Sequence, residues 1–268
     1  MSTTRVALTV SYNGTDFHGF QYQRQSIPTI QGHLETALTR VADHEIKLVC
    51  AGRTDTGVHA THQVVHFDTT ANRDAKAWIM GGNSHLPDTI NIAWAGRVND
   101  DFDARFAATA RRYFYVIYNH PVRSALMASL LTKERRPLDE AVMDAAGQAL
   151  VGEHDFSSFR ASGCQSPTPV RDIHRLSVYR IRDLVVIDIT ANAFLHHMVR
   201  NIAGVLMDIG RGDAREAWAA EVLARRDRRC AGLTAPPHGL YLVDVSYPDH
   251  FGIPAGPELP HLYAALLP

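Results

Sequence analysis

The run Ile46-Lys47-Leu48-Val49-Cys50-Ala51-Gly52-Arg53-Thr54-Asp55-Thr56-Gly57-Val58-His59-Ala60-Thr61-His62-Gln63-Val64-Val65-His66-Phe67 reads as two extended segments joined by a loop. Ile46 to Cys50 is a short strand, and His62 to Phe67 is a second with Val64 and Val65 at its middle. Between them, Gly52 and Gly57 permit a positive φ or a close approach by another segment. Thr54 and Thr56 can fix the loop by hydrogen bonds to its own amides. Asp55 therefore sits at the tip of a loop between two strands. Arg53, two positions away in an extended stretch, points to the same face. On spacing alone these residues also fit an Asx-type turn with a solvated Asp and Arg.

Working outward, Arg5 to Tyr12 alternates, with Val6, Leu8 and Val10 on one face, and predicts a first strand. Asn13-Gly14-Thr15-Asp16 is turn chemistry. Thr29 can cap a helix whose apolar stripe is Ile30, Leu34, Ala37, Leu38 and Val41. Asp74 to Leu86 predicts a second helix, interrupted by Gly81-Gly82, and Ile90 to Val98 a strand. Strand, helix, strand, loop, strand, helix, strand is close to the split βαβ pattern, an antiparallel sheet covered by helices on one face.

A second pass begins at Phe106. Arg111 to Tyr118 predicts a strand, and Pro137 to Val151 a helix with Pro at its start and Gly152 past its end. Arg171 to Ile181 and Leu184 to Thr190 form a hairpin around Arg182-Asp183. Asn192 to Gly210 and Arg215 to Arg225 predict helices, and Leu240 to Tyr247 a last strand. Arg123 to Arg136 lacks a period and predicts a surface insertion. The expected fold class is α+β in two halves, residues 1–105 and 106–268, each a mostly antiparallel sheet covered by helices. The tail beyond Pro248 ends in Leu262, Tyr263, Leu266 and Leu267, an apolar set suited to docking.

At 268 residues and 46% hydrophobic content, the chain can bury a substantial core. No apolar run is long enough to cross a bilayer, and Met1-Ser2-Thr3-Thr4-Arg5 leads into a strand without a signal-peptide core, so a cytoplasmic location is expected. Cys50, Cys164 and Cys230 are odd in number and widely spaced, as reduced thiols are. A net charge of −1 argues against indiscriminate polyanion binding, so any nucleic-acid surface has to be a local patch. The basic residues include only three lysines, Lys47, Lys76 and Lys133; the rest are arginines, suited to bidentate phosphate contacts and base stacking. Base composition of the genome also favours Arg over Lys.

The segment around Asp55, Gly52-Arg53-Thr54-Asp55-Thr56-Gly57-Val58-His59, closely resembles the signature of the bacterial tRNA pseudouridine synthases of the TruA type. Five further blocks resemble that family in its order: Ser11 to Gln21, Ala110 to Tyr115, Gly152 to Arg160, Asn192 to Asn201 and Ala235 to Leu242. The resemblance implies a ferredoxin-like or RRM-like pseudouridine synthase fold and an isomerase that turns uridine into pseudouridine at positions 38, 39 and 40 of the tRNA anticodon stem-loop. It implies a homodimer, and neither cofactor nor metal. It assigns Asp55 as the catalytic carboxylate and Tyr113 as the aromatic that stacks on the target uracil. By motif match Arg53 is the candidate for the space vacated when the base leaves the stack. The 19–27 segment would be an RNA-contacting loop, and Arg24, Arg53, Arg111 and Arg112 would line a basic cleft.

Arg200 is picked out by helix pattern as well. Leu195, Met198, Val199, Ile202, Leu206 and Ile209 share one side of the Asn192 to Gly210 helix, which puts Arg200 on the opposite side beside His196. That face is either solvated or lines a cleft, where Arg200 would pair with Asp55 and keep it ionised; the resemblance implies the second. Two positions depart from the family pattern: His196 stands where Tyr is common and Asp103 where His is common.

Three other readings compete. His59, His62 and His66 invite a metal, although no His-Glu-x-x-His or paired-Cys spacing accompanies them. A non-catalytic RNA-binding protein of related fold is the second. A retaining glycosidase needs two carboxylates, and the Asp55 loop carries one.

Overall fold

The computed structural model describes residues 3–23 and 27–256. The expected roles of Arg24 and of the apolar tail from Leu262 fall outside them. The chain divides into two compact units. One takes the described residues of Met1–Thr109 and Tyr241–His261, the other Ala110–Leu240.

The first unit is built on β1 (Thr4–Tyr12), β2 (Val49–Cys50), β3 (His59–Thr69), β4 (Ile90–Val98) and the end of the chain's last strand, Leu240–Ser246. β1 lies between β4 and β3, antiparallel to both, in register Leu8 with Val65 and with Ala95. The far edge of β3 is shared. β2 pairs antiparallel at His66 and Val65, while the last strand pairs parallel at His59 and Ala60. Most of the last strand, from Tyr241, therefore lies in the first unit, although it follows the strands of the second unit in chain order.

Helix α1 (Ile30–Ala42) starts where expected: the Thr29 hydroxyl accepts from the Gly32 amide at 3.2 Å, and Ile30, Leu34, Ala37 and Leu38 are buried. The expected helix from Asp74 to Leu86 is shorter, centred on a π-helical turn at Ala77–Gly81. The glycines explain its form. A Cβ on Gly81 would press on Val41 of α1 and one on Gly82 on Ile92 of β4, so the turn lies closer to both than a regular helix with side chains could.

The second unit contains β5 (Ala110–Asn119), β6 (Thr132–Glu134), β7 (Gly152–Asp155), β8 (Val170–Ile181) and β9 (Leu184–Ala191). The order β5-β9-β8-β7 is antiparallel throughout, and β6 pairs parallel with β5. The hairpin turns at Arg182, whose φ is 53°. β6 and β7 have no sequence signal: each is very short and neither alternates.

Helix α2 (Glu140–Gln148) begins three residues later than the Pro137 start suggested, because the Asp139 carboxylate accepts from the amides of Ala141 and Val142 and is the stronger stop. Helix α3 (Met198–Gly210) begins at Met198 rather than Asn192. The Asn192 side chain accepts from the amides of Ala193 and Asp172, which holds that residue out of a helix, and His197 at the cap has φ 61°. α3 is buried on nearly every side, so Ile202, Val205 and Leu206 each contribute about 1.5–3 kcal/mol by leaving water. α4 (Trp218–Arg225) completes the set. The result is a mixed α+β fold with mostly antiparallel strands, as the sequence pattern predicted. Among the described residues no helix is long and apolar enough to cross a membrane.

Candidate active site

In the first unit the loop from Ala51 to Val58 joins β2 to β3 and carries Asp55, half-buried, between exposed Arg53 and exposed Thr56. It is held mainly from outside itself. Thr54 is buried, and its hydroxyl meets the Tyr12 hydroxyl of β1 at 2.8 Å rather than a loop amide. The Gln63 carboxamide of β3 grips Gly52 from both ends: Nε2 donates to its carbonyl at 2.5 Å and Oε1 accepts from its amide at 3.3 Å. Gln63 Nε2 also reaches the Tyr12 hydroxyl at 3.4 Å. Within the loop the Val58 amide donates to the Asp55 carbonyl at 3.1 Å, and Gly57 takes φ 75°.

The 13–20 segment packs against this loop. A Cβ on Gly14 would lie 2.0 Å from the Val58 carbonyl oxygen, so only glycine fits. The Phe20 amide donates to the Thr54 carbonyl at 3.0 Å, and the Gly14 amide to His59 Nδ1 at 3.0 Å. The loop that carries Asp55 is thus held by strands β1 and β3 and by a second loop.

The three histidines of β3 are packing residues. His59 Nδ1 is occupied by the Gly14 amide and the ring stacks on Tyr241 at 4.7 Å. His66 Nδ1 accepts from the Ala104 amide at 3.0 Å. Burial pushes the pKa of both His62 and His66 down, which keeps them neutral in the core. The sequence could not separate this from a metal site, because His62 and His66, four apart on one strand, share a face in either case.

In the second unit Tyr113 lies on β5, 8% exposed, with its ring edge-to-face against Phe194 at 5.0 Å. Arg111 shares its side of the strand, and Arg111 Nη1 donates to the Asn192 carbonyl at 3.0 Å. Arg112 faces the other way. Its guanidinium pairs bidentately with Asp188, 1% exposed, at 2.8 and 2.7 Å, and stacks over Phe114 at 4.9 Å. Arg111 and Arg112 therefore cannot line one surface together, and the expected basic cleft loses Arg112 to an internal ion pair.

Arg200 sits in the first turn of α3. It is half-buried, and the segment 233–239 runs along that side of the helix. Arg200 Nε donates to the Ala235 carbonyl at 2.8 Å, and the Ala235 amide donates back to the Arg200 carbonyl at 3.1 Å. Tyr115, next after Tyr113 on the same side of β5, donates to the Pro236 carbonyl at 2.9 Å and meets the Thr132 hydroxyl at 2.6 Å. Sequence reasoning gave no role to Tyr12, Gln63 or Tyr115. The available signal was glycine: Gly14, Gly204 and Gly239 each lie where a Cβ would strike a neighbouring backbone carbonyl.

Fold and site together define a mostly antiparallel α+β protein that holds a half-buried carboxylate on a loop braced from several strands. The profile of the tRNA pseudouridine synthases matches residues 8–107 and 146–248, and the chain belongs to that family. It is 54% identical over 253 residues to the tRNA pseudouridine synthase A of Coxiella burnetii, covering 94% of this chain and 97% of that one. To the proteins of the same name from Tolumonas auensis and Vibrio campbellii it is 53% identical over 253 residues, again across 94% of this chain and 97% and 96% of theirs.

Proposed function

We propose that this protein converts uridine to pseudouridine in tRNA, at positions 38, 39 and 40 of the anticodon stem-loop, as a cytoplasmic homodimer without a cofactor. The observation that carries the reading is the Gly52 to His59 segment, held as a braced loop with Asp55 at its tip, in a chain that follows its relatives over nearly their whole length. The N-terminal half, 1–105, supplies Asp55 and Arg53; the C-terminal half, 106–268, supplies Tyr113 and Arg200.

The reaction breaks the bond from ribose C1′ to uracil N1, turns the base, and forms a bond from C1′ to C5, after which the C5 proton leaves to solvent. No electron or group enters from outside. A carboxylate near C1′ and C6 serves this chemistry by adding to the base, by attacking C1′, or by removing a ribose proton. Asp55 is that carboxylate. Tyr113 stacks on the uracil while it is detached, which keeps it in place for re-addition. Arg53, exposed beside Asp55, fills the gap left when the nucleotide leaves its stem. Arg200 is the cation that favours an ionised carboxylate during the reaction.

The test is tritium release from C5-labelled uridine in unmodified tRNA, with a binding assay on the same RNA. Asp55→Asn should lower release by roughly 1,000-fold or more while tRNA still binds. Binding with no release by the unaltered protein would instead identify a non-catalytic RNA-binding protein.

A further inference from the structure

Arg200 is gripped by a strap whose own anchors lie elsewhere in the second unit. Adjacent residues of α3 hold adjacent residues of the strap. Arg200 exchanges two hydrogen bonds with Ala235, and the Asn201 carboxamide oxygen accepts from the Thr234 hydroxyl at 2.7 Å. Asn201 is buried, and its Nδ2 donates to the Phe159 carbonyl at 2.7 Å, so it cannot follow if the strap moves. Arg228 fixes the strap's near end, with Nη2 on Thr234 Oγ1 at 2.9 Å and Nη1 on the carbonyls of Ala231 and Gly232 at 3.1 and 3.0 Å.

Tyr115 holds the strap one residue beyond Ala235. Its single hydroxyl hydrogen goes to the Pro236 carbonyl, so it must accept from Thr132, and the order is Thr132 to Tyr115 to Pro236. Both hydroxyl residues are buried. The approach is as close as a chain allows: a Cβ on Gly239 would lie 2.5 Å from the Val116 carbonyl oxygen, and one on Gly204 would lie 2.0 Å from that of Leu233. The positive charge of Arg200 is also felt at the Tyr115 phenol, where burial pushes the pKa up and Arg200 opposes it.

We propose that Tyr115 is a positioning residue for the isomerisation: it fixes the Pro236 carbonyl, hence the Ala235 carbonyl beside it, hence the direction in which the Arg200 guanidinium points. β5 then has two tyrosines on one side with different tasks, Tyr113 toward the substrate and Tyr115 toward the strap. The proposal rests on the reading of Arg200 as part of the catalytic machinery.

The experiment is a double-mutant cycle of Tyr115→Phe and Arg200→Lys, with kcat and KM from tritium release and Tm for each variant. Tyr115→Phe keeps the ring and removes one donor; kcat should fall about tenfold with KM within about twofold. In the Arg200→Lys background, where the Nε donor to Ala235 is gone, the same change should cost almost nothing further. An equal loss in both backgrounds would make Tyr115 a structural residue, and no loss in either would remove the idea. Wild-type kcat in Arg200→Lys alone would overturn the role of Arg200 and the proposal with it, leaving the Asp55 result untouched. Thr132→Val should reproduce the loss in weaker form and Thr132→Ser restore it, since Ser keeps the hydroxyl; an undisturbed Thr132→Val would overturn the hydrogen-bond relay from Thr132 through Tyr115 to Pro236.

Discussion

The Asp55 loop and the Arg200 strap solve one problem, the holding of a charged side chain, in opposite ways. The loop is short in sequence and braced by residues facing it: Tyr12 and Gln63 on flanking strands and Gly14 in the neighbouring turn. The strap is remote in sequence from the helix it serves and touches it through the backbone of Ala235 and the hydroxyl of Thr234. A carboxylate on a loop needs its backbone fixed, because the side chain itself is short. An arginine already anchored on a helix needs its long side chain aimed, and a carbonyl set against Nε does that. The two devices should fail differently.

The largest effect is expected at the loop. Gly14→Ala puts a Cβ against the Val58 carbonyl with backbone on both sides, so nothing flexible can give way. Stability should fall by about 2–3 kcal/mol, seen as a Tm lower by roughly 5–10 °C, with activity lost in proportion to displacement of Asp55. A Tm within a degree of wild type would show that the 13–20 segment is not a rigid brace. Gln63→Leu comes next. It leaves the amide and carbonyl of Gly52 without their partner and should cost about 1–2 kcal/mol in urea unfolding, with kcat reduced more than KM is raised. An unchanged midpoint would transfer the bracing to Thr54 and Tyr12.

Gly204→Ala is the counterpart at the strap, and the contrast is sharper here. The clash with Leu233 is as close as that at Gly14, yet the Leu233 side chain is 88% exposed and the strap can move outward. Stability should fall by only about 1 kcal/mol, while kcat falls severalfold because Ala235 carries Arg200 with it. If thermal stability drops as far as in Gly14→Ala, the strap is part of the core and the distinction between the two devices disappears.

This contrast also explains what was legible in the sequence. The loop was readable because its glycines, threonines and Asp55 are contiguous, and the strands beside it alternate. What bound Thr54 was not readable, since Tyr12 is brought to it only by the register of β1 on β3. Arg200 was placed on the correct helix and on the side away from the apolar stripe, but what covers that side comes from residues 233–239, which have no period to betray them. The π-helical turn at Ala77–Gly81 and the late start of α3 have the same origin. In both, a local contact, a glycine against a neighbour or an Asn side chain on its own backbone, overrides a helical pattern that propensity alone would extend.

The smallest effect expected is chemical rather than energetic, and it sets a cysteine in each unit against the other. Cys50 ends β2 at the root of the loop, where burial pushes its thiol up to about 11 despite Arg53 and Arg105 nearby. Cys164 is also disfavoured by burial, but the His196 amide donates to its sulfur at 3.5 Å, and the Ser166 amide and the Arg160 guanidinium also act on it; together they bring the thiol below its ordinary value. Only the thiolate reacts with iodoacetamide. At pH 8 a group with a pKa near 11 is ionised to roughly one part in a thousand, so Cys164 should be alkylated first and Cys50 should remain unlabelled on the same timescale. Lowering the pH to 7 should slow Cys164 less than it slows a free thiol, and Arg160→Gln should remove that advantage, both read by mass spectrometry of the labelled peptides. Labelling of Cys50 ahead of Cys164 would show that the thiol at the root of the Asp55 loop is open to solvent, and the picture of a closely braced loop would have to be given up.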